Sequence, residues 1–204
     1  SILNWNWNFG DANSVDYSNG NAFNYNYTNY GPYTVTLVTT SANGCTSTPV
    51  TQNIRVNDVP VAGFTMPASV CMPNGTTGFT NNSSVRDGAT LSYQWNFGDG
   101  SPVSNQTSPN HLYPAINNYT ITLTVTSSGG CSRTITQDFD DFFDKPIADF
   151  SVSPDKLCQG SDNAFTDASS APNSSIRTRT WTFGDGTISS SINPVKLYSQ
   201  PGNY

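Results

Sequence analysis

Tyr93-Gln94-Trp95-Asn96-Phe97-Gly98-Asp99-Gly100 is the stretch whose reading decides the fold, because the chain returns to it twice. Its relatives are Trp5-Asn6-Trp7-Asn8-Phe9-Gly10-Asp11-Ala12 and Arg179-Thr180-Trp181-Thr182-Phe183-Gly184-Asp185-Gly186. Each reads as a strand with large side chains at alternate positions, closed by a Gly-Asp turn. Strand side chains alternate between faces, so Tyr93, Trp95 and Phe97 share one face while Gln94 and Asn96 share the other. A ribbon with one aromatic face needs a second sheet over it. The segment is therefore a core strand of a β-sandwich, and three copies imply three sandwiches or parts of them.

Other landmarks keep the same spacing. Trp7, Trp95 and Trp181 lie 88 and 86 residues apart, and Tyr33 and Tyr119, Cys45 and Cys131, and Phe64 and Phe150 are each separated by 86. Cys71 and Cys158 are 87 apart. A period of this size suits one small all-β domain, since immunoglobulin-type sandwiches need roughly 100 residues. The boundaries fall at Asp58-Val59-Pro60 and Asp144-Lys145-Pro146, because proline cannot extend a ladder and restricts the residue before it. The expected units are 1–58, the C-terminal part of a first repeat; 61–145, a complete second repeat; and 146–204, the N-terminal part of a third. The chain reads as a piece of a longer polypeptide.

Composition narrows the class. Charged residues are 11% of the 204, against about 25% in typical soluble domains. Every acid is Asp, and with Lys, Arg, Leu and Ala also scarce, the strong helix formers are largely missing. Asn, Thr, Ser and Gly take their place, which suits strands and tight turns. The expected fold is all-β. A net charge of −6 argues against nucleic acid and anionic membrane surfaces as partners. No apolar run approaches the ~20 residues of a membrane-spanning helix, so membrane insertion is not expected. Four Cys beside one His disfavour a zinc site and point to an oxidising, extracellular or cell-surface setting.

Along the chain, an Asn/Tyr-rich loop is expected from Asn13 to Tyr30, followed by strands at Tyr33–Leu37 and Thr51–Val56. The second repeat opens with strands at Val61–Met66 and Thr77–Asn81, joined by a turn over Pro67–Gly75. It continues with the Trp95 strand, a short strand at His111–Tyr113, the strongly alternating Tyr119–Val125 and the closing Ser132–Phe139.

Trp-x-Phe-Gly-Asp-Gly, followed by Pro109-x-His111-x-Tyr113 and the Tyr119–Val125 strand, resembles the polycystic-kidney-disease (PKD) domain. The resemblance implies tandem immunoglobulin-like β-sandwiches, and it runs in register along the whole chain. The pattern departs at Ala12, where the second turn Gly is missing, and at Tyr25 and Lys196, which replace His111. The added Cys and the Asn/Thr richness resemble PKD arrays of Bacteroidetes surface and gliding-associated adhesins.

Each chemically suggestive residue has a structural reading beside the functional one. Asp11, Asp99 and Asp185 fit carboxylates capping N–H groups two residues on, rather than calcium ligands, since calcium takes 6–8 oxygens. Asp138, Asp140, Asp141 and Asp144 are the only acidic cluster and the candidate calcium site; a charged edge strand is the alternative. No other cofactor is expected. His111 is the sole His, at a position filled elsewhere by Tyr25 and Lys196, so a packing role is expected and no catalytic constellation is found. Trp7, Trp95 and Trp181, with Phe9, Phe97 and Phe183 and with Tyr33 and Tyr119, are core or motif residues. Tyr25 and Tyr30, in an Asn-rich loop, are candidate contacts for a surface glycan or protein.

In a sandwich of this type, Cys71 and Cys158 lie near the first turn and Cys45 and Cys131 open the last strand, at opposite poles. Disulfide Cα atoms must approach within about 7 Å, so bonds within one repeat are not expected. The expectation is of staples between neighbouring repeats, with Cys71 bonding forward and Cys131 backward. Together these readings suggest a non-catalytic, rod-like spacer or adhesin stalk in a large secreted or surface-anchored bacterial protein. The alternatives are an accessory substrate-binding array of a secreted hydrolase and a subunit of an extracellular fibre.

Overall fold

The computed structural model describes the chain except Asn74 and residues 154–159, so Cys158 lies outside the described residues. The first repeat contributes β1 (Ile2–Asn8), β2 (Ser14–Tyr17), β3 (Gly31–Ser41) and β4 (Val50–Val56). The second opens with β5 (Phe64–Thr65), β6 (Val70–Met72), β7 (Gly75–Gly78) and β8 (Thr80–Asn81). It continues with β9 (Leu91–Asn96), β10 (Asn110–Tyr113), β11 (Tyr119–Ser127), β12 (Ser132–Phe139) and β13 (Phe142–Asp144). The third contributes β14 (Phe150–Ser153), β15 (Asp162–Asp167), β16 (Trp181–Thr182), β17 (Ile188–Ser189) and β18 (Val195–Leu197). No helix occurs among the described residues, as a chain poor in helix formers requires.

By contact, the chain divides into two compact units, each taking part of the middle repeat. The first comprises Ser1–Thr65, Phe79–Pro109 and Thr120–Gln137. It holds a four-stranded antiparallel sheet in the order β2-β1-β3-β4, with Trp7 opposite Leu37 and Tyr33 opposite Ile54. A second sheet, β12-β11-β9, sets Trp95 opposite Leu123 and Tyr93 opposite Val125. Strict alternation on β11 sends Ile121, Leu123 and Val125 inward with no exposure, beside a fully buried Trp95. Phe64 meets the Trp95 ring edge-on at 5.2 Å, and Phe79 and Phe97 complete the aromatic core. Rings in such offset contacts add about 0.5–1.5 kcal/mol per pair beyond the area they bury.

The second unit comprises Met66–Gly78, Asn110–Tyr119 and Asp138–Tyr204. β10 pairs antiparallel with β7, and β6 pairs parallel with β13, placing Cys71 opposite Phe143. Tyr113, Tyr119, Phe139 and Phe142 form its buried ring cluster. The third repeat adds the sheet β14-β15-β18 and the hairpin β16-β17. Its Phe150, counterpart of the buried Phe64, is 56% exposed, and β16 pairs with β17 where β9 pairs with β11. An open groove of about 1270 Å³ is lined by Phe150, Phe165, Trp181 and Phe183 among others.

Three strands depart from the sequence expectation. β2 lies within the expected Asn13–Tyr30 loop, where Val15 and Tyr17 pair with Trp7 and Trp5. The expected Pro67–Gly75 turn contains β6, and β13 follows the closing strand. The expected first strand, Val61–Met66, is reduced to a bridge from Val61 to Ser84 and the two residues of β5.

Candidate functional site

The Asp of the Gly-Asp turn makes the same cap in all three repeats. Asp11 accepts the Asn13 N–H at 3.1 Å, Asp99 that of Ser101 at 3.0 Å, and Asp185 that of Thr187 at 3.1 Å. These are Asx-turns, in which a side-chain oxygen takes the place of a backbone acceptor. Gly98 lies at φ +80°, and a Cβ there would meet the Thr120 carbonyl at 2.6 Å; Gly10 is constrained in the same way by Thr34. Only glycine fits, because the conformation is left-handed and the next strand's backbone lies against it.

The residue that varies opposite this turn has a defined place. Tyr25 stacks on Phe9 with ring centroids 3.6 Å apart and donates its hydroxyl to Asp11 Oδ2 at 2.6 Å. That hydrogen bond holds the Asp11 carboxyl below its usual range and raises the Tyr25 hydroxyl. In the third repeat Lys196 lies over the Phe183 ring and pairs with Asp185, whose carboxyl is held down to about 2 chiefly by that bond. Tyr25 is thus half-buried and bonded within its own repeat. His111, at the same position of the second repeat, packs edge-on against Tyr113 at 4.7 Å.

A second recurring device is a tyrosine corner. Tyr33, Tyr119 and Tyr204 donate their hydroxyls to the carbonyls of Asn29, Ala115 and Gln200, four residues upstream in each case. They stack on Tyr27, Tyr113 and Tyr198 at 4.3, 4.3 and 4.1 Å. Such a corner, at the start of a sandwich strand, is a hallmark of immunoglobulin-like folds.

The joints between repeats carry side-chain contacts that sequence reasoning missed. The Asp58 N–H is accepted by Asp87 Oδ2 at 2.9 Å; one period on, the Asp144 N–H is accepted by Asn173 Oδ1 at 2.7 Å. Asp87 and Asn173 lie 86 residues apart, so the period itself was the signal that could have found them. Asn173 also donates to the Phe142 carbonyl at 3.3 Å, gripping the linker on two residues. At the first joint the buried Asp58 carboxylate receives Arg86 Nε at 2.8 Å, Arg86 Nη2 at 2.9 Å and the Arg86 N–H at 3.2 Å. This contact holds its carboxyl down to about 2. Tyr30, 38% exposed, lies 5.2 Å from the Arg86 guanidinium and donates to the Arg86 carbonyl at 3.4 Å. Tyr30 therefore belongs to the joint.

The acidic cluster does not assemble. Asp138 lies near the end of β12, Asp140 and Asp141 are exposed between strands, and Asp144 ends β13. Among the described residues no group of three or more His, Cys, Asp or Glu side chains is placed to hold a metal ion. Cys45, Cys71 and Cys131 are free thiols. Cys131 points at the Asn57 carbonyl, with Sγ 3.9 Å away, beside the first joint. Cys71 lies on the strand paired to β13, which leads into the second.

Alternating aromatic strands, Asx-capped Gly-Asp turns and tyrosine corners define a tandem array of immunoglobulin-like modules. The chain matches the PKD domain family over residues 1–56, 57–140 and 144–204, and belongs to it. It is similar to a microbial collagenase of Vibrio alginolyticus, 35% identical over 85 residues. That alignment covers 42% of this chain and 10% of the collagenase, so the chain matches about a tenth of that relative's length. Among solved structures it is similar to the PKD1 domain of Vibrio anguillarum Epp, at 32% identity over 41% of this chain and 94% of that domain, with a TM-score of 0.36. It is also similar to the PKD1 domain of the Vibrio cholerae metalloprotease PrtV, at 33% identity over 40% and 94%, with a TM-score of 0.35.

Proposed function

We propose that this PKD array is a non-catalytic, rod-like spacer in a large bacterial surface or secreted protein, serving cell-surface adhesion or gliding. The observation that carries the reading is the repeated pin on the linker, Asp87 on Asp58 and Asn173 on Asp144. A flexible tether would need no side chain of the following repeat to hold its backbone. The linkers are also short and contain proline, which limits folding back of one repeat on the next. Small-angle scattering on polypeptides of increasing repeat number tests the reading: maximum dimension should grow in proportion to repeat count, and a globular profile would sink it. Extracellular placement and stapling between repeats, through Cys71 forward and Cys131 backward, belong to the same proposal. The positions of those thiols beside the two joints support it.

A second reading is favoured by the likeness to a collagenase: an accessory array of a secreted hydrolase, contacting its substrate. Binding of the chain to insoluble collagen, measured against an unrelated β-sandwich, separates the two.

A further inference from the structure

The two joints share their pin but not their surroundings. At the first, Arg86 bonds Asp58 through a planar two-pronged fork and its own backbone N–H. Such paired bonds fix orientation as well as distance, which a single hydrogen bond does not. The other side of Arg86 is engaged by the first repeat through the Tyr30 ring and hydroxyl. A third contact lies farther round the joint, where Asn57 Nδ2 donates to the Gly129 carbonyl at 3.2 Å. The approach there is so close that a Cβ on Gly129 would come within 2.4 Å of the Asn57 side chain. One period on from Arg86 stands Pro172, which can offer neither fork nor N–H. Among the described residues no hydrogen bond or ion pair reaches the Asp144 carboxylate, while Asn173 keeps its grip on the linker backbone.

We propose that Tyr30, Asp58 and Arg86 form an ionic lock that fixes the first repeat on the second, and that the joint before the third repeat bends more freely for want of one. The charged groups facing Asp58 are Arg86 and Asp87, with Arg55 acting on Asp87. Arg86 keeps 74% of its side chain in solvent while Asp58 is buried, so dissolved salt competes with the lock. Stiffness would then be set joint by joint through one residue, and graded by ionic strength. This holds whether the array spaces an adhesin or serves a hydrolase, so its failure leaves the spacer reading standing.

Residual dipolar couplings on the full, isotope-labelled chain test it. At low salt, the amides of residues 1–56 and of the second repeat should fit one alignment tensor, and those of the third repeat should need another. Arg86→Ala should split the first two into separate tensors while the chemical shifts around Trp95 stay in place. Arg86→Lys, which keeps the charge without the fork, should split them less, and 1 M salt should move the parent the same way. Tyr30→Phe should keep the single tensor, since ring and fork remain. The lock is overturned if Arg86→Ala keeps the first two repeats on a single tensor, or if those two repeats of the parent need separate tensors at low salt; a third repeat that shares their tensor overturns the freer second joint. Should Arg86→Ala unfold, Arg86→Lys and the salt series on the parent decide the matter by the same criteria.

Discussion

Ala12 stands at φ +72°, where the matching Gly100 and Gly186 lie at +81° and +84°. The Cβ of an L-residue in that region costs about 1–2 kcal/mol, and glycine gives back part of this through its freer unfolded chain. Ala12→Gly is therefore expected to stabilise the first repeat by about 0.5–1 kcal/mol, seen as a higher denaturant midpoint at unchanged slope. An unchanged or lower midpoint would mean that the turn has relaxed around the methyl. The substitution was visible in the sequence as a break in the repeat. Its cost was not, because a sequence shows the residue and not its φ. Nor did the sequence show that the Tyr25 ring lies flat on Phe9.

Among the strands, β9 and β11 were legible because strict alternation over six or more residues leaves one face no place but the core. Trp95→Ala is expected to cost about 3–5 kcal/mol, the range for large aromatics in a closed core. Trp181→Ala should cost visibly less, since Trp181 is only half-buried; calorimetric comparison of the two variants checks the order. The strands β2, β6 and β13 were not legible. Three or four residues show too little alternation to stand out, and what makes β6 a strand is its distant parallel partner β13. Acid should probe the turns and the joint together. Asp58, Asp167 and Asp185 are each held down to about 2 from 3.8, by Arg86, by Ser169 with Arg179, and by Lys196 with Thr187. A depressed folded-state value means that their contribution is complete above 3.8 and is lost as pH falls toward 2. Thermal midpoints should thus hold steady from pH 7 to about 4 and fall below it, and less steeply in Asp185→Asn, which no longer titrates there.

At the scale of the molecule, the cysteines give the sharpest outcome. Non-reducing peptide mapping of a longer polypeptide should join Cys71 to a cysteine of the following repeat and Cys131 to one of the preceding repeat. A Cys71–Cys131 or Cys45–Cys71 peptide would overturn the staple. The sequence by itself determined the all-β class, the period and the core strands, because alternation and recurrence are local patterns that survive without coordinates. Only the tertiary structure decided what the joints are made of. Asp58 and Arg86 are 28 residues apart and Tyr30 and Arg86 are 56 apart, and no pattern along the chain marks such pairs. Neighbours in sequence are separated when alternate strand residues face opposite ways, whereas distant residues meet where two folded repeats abut.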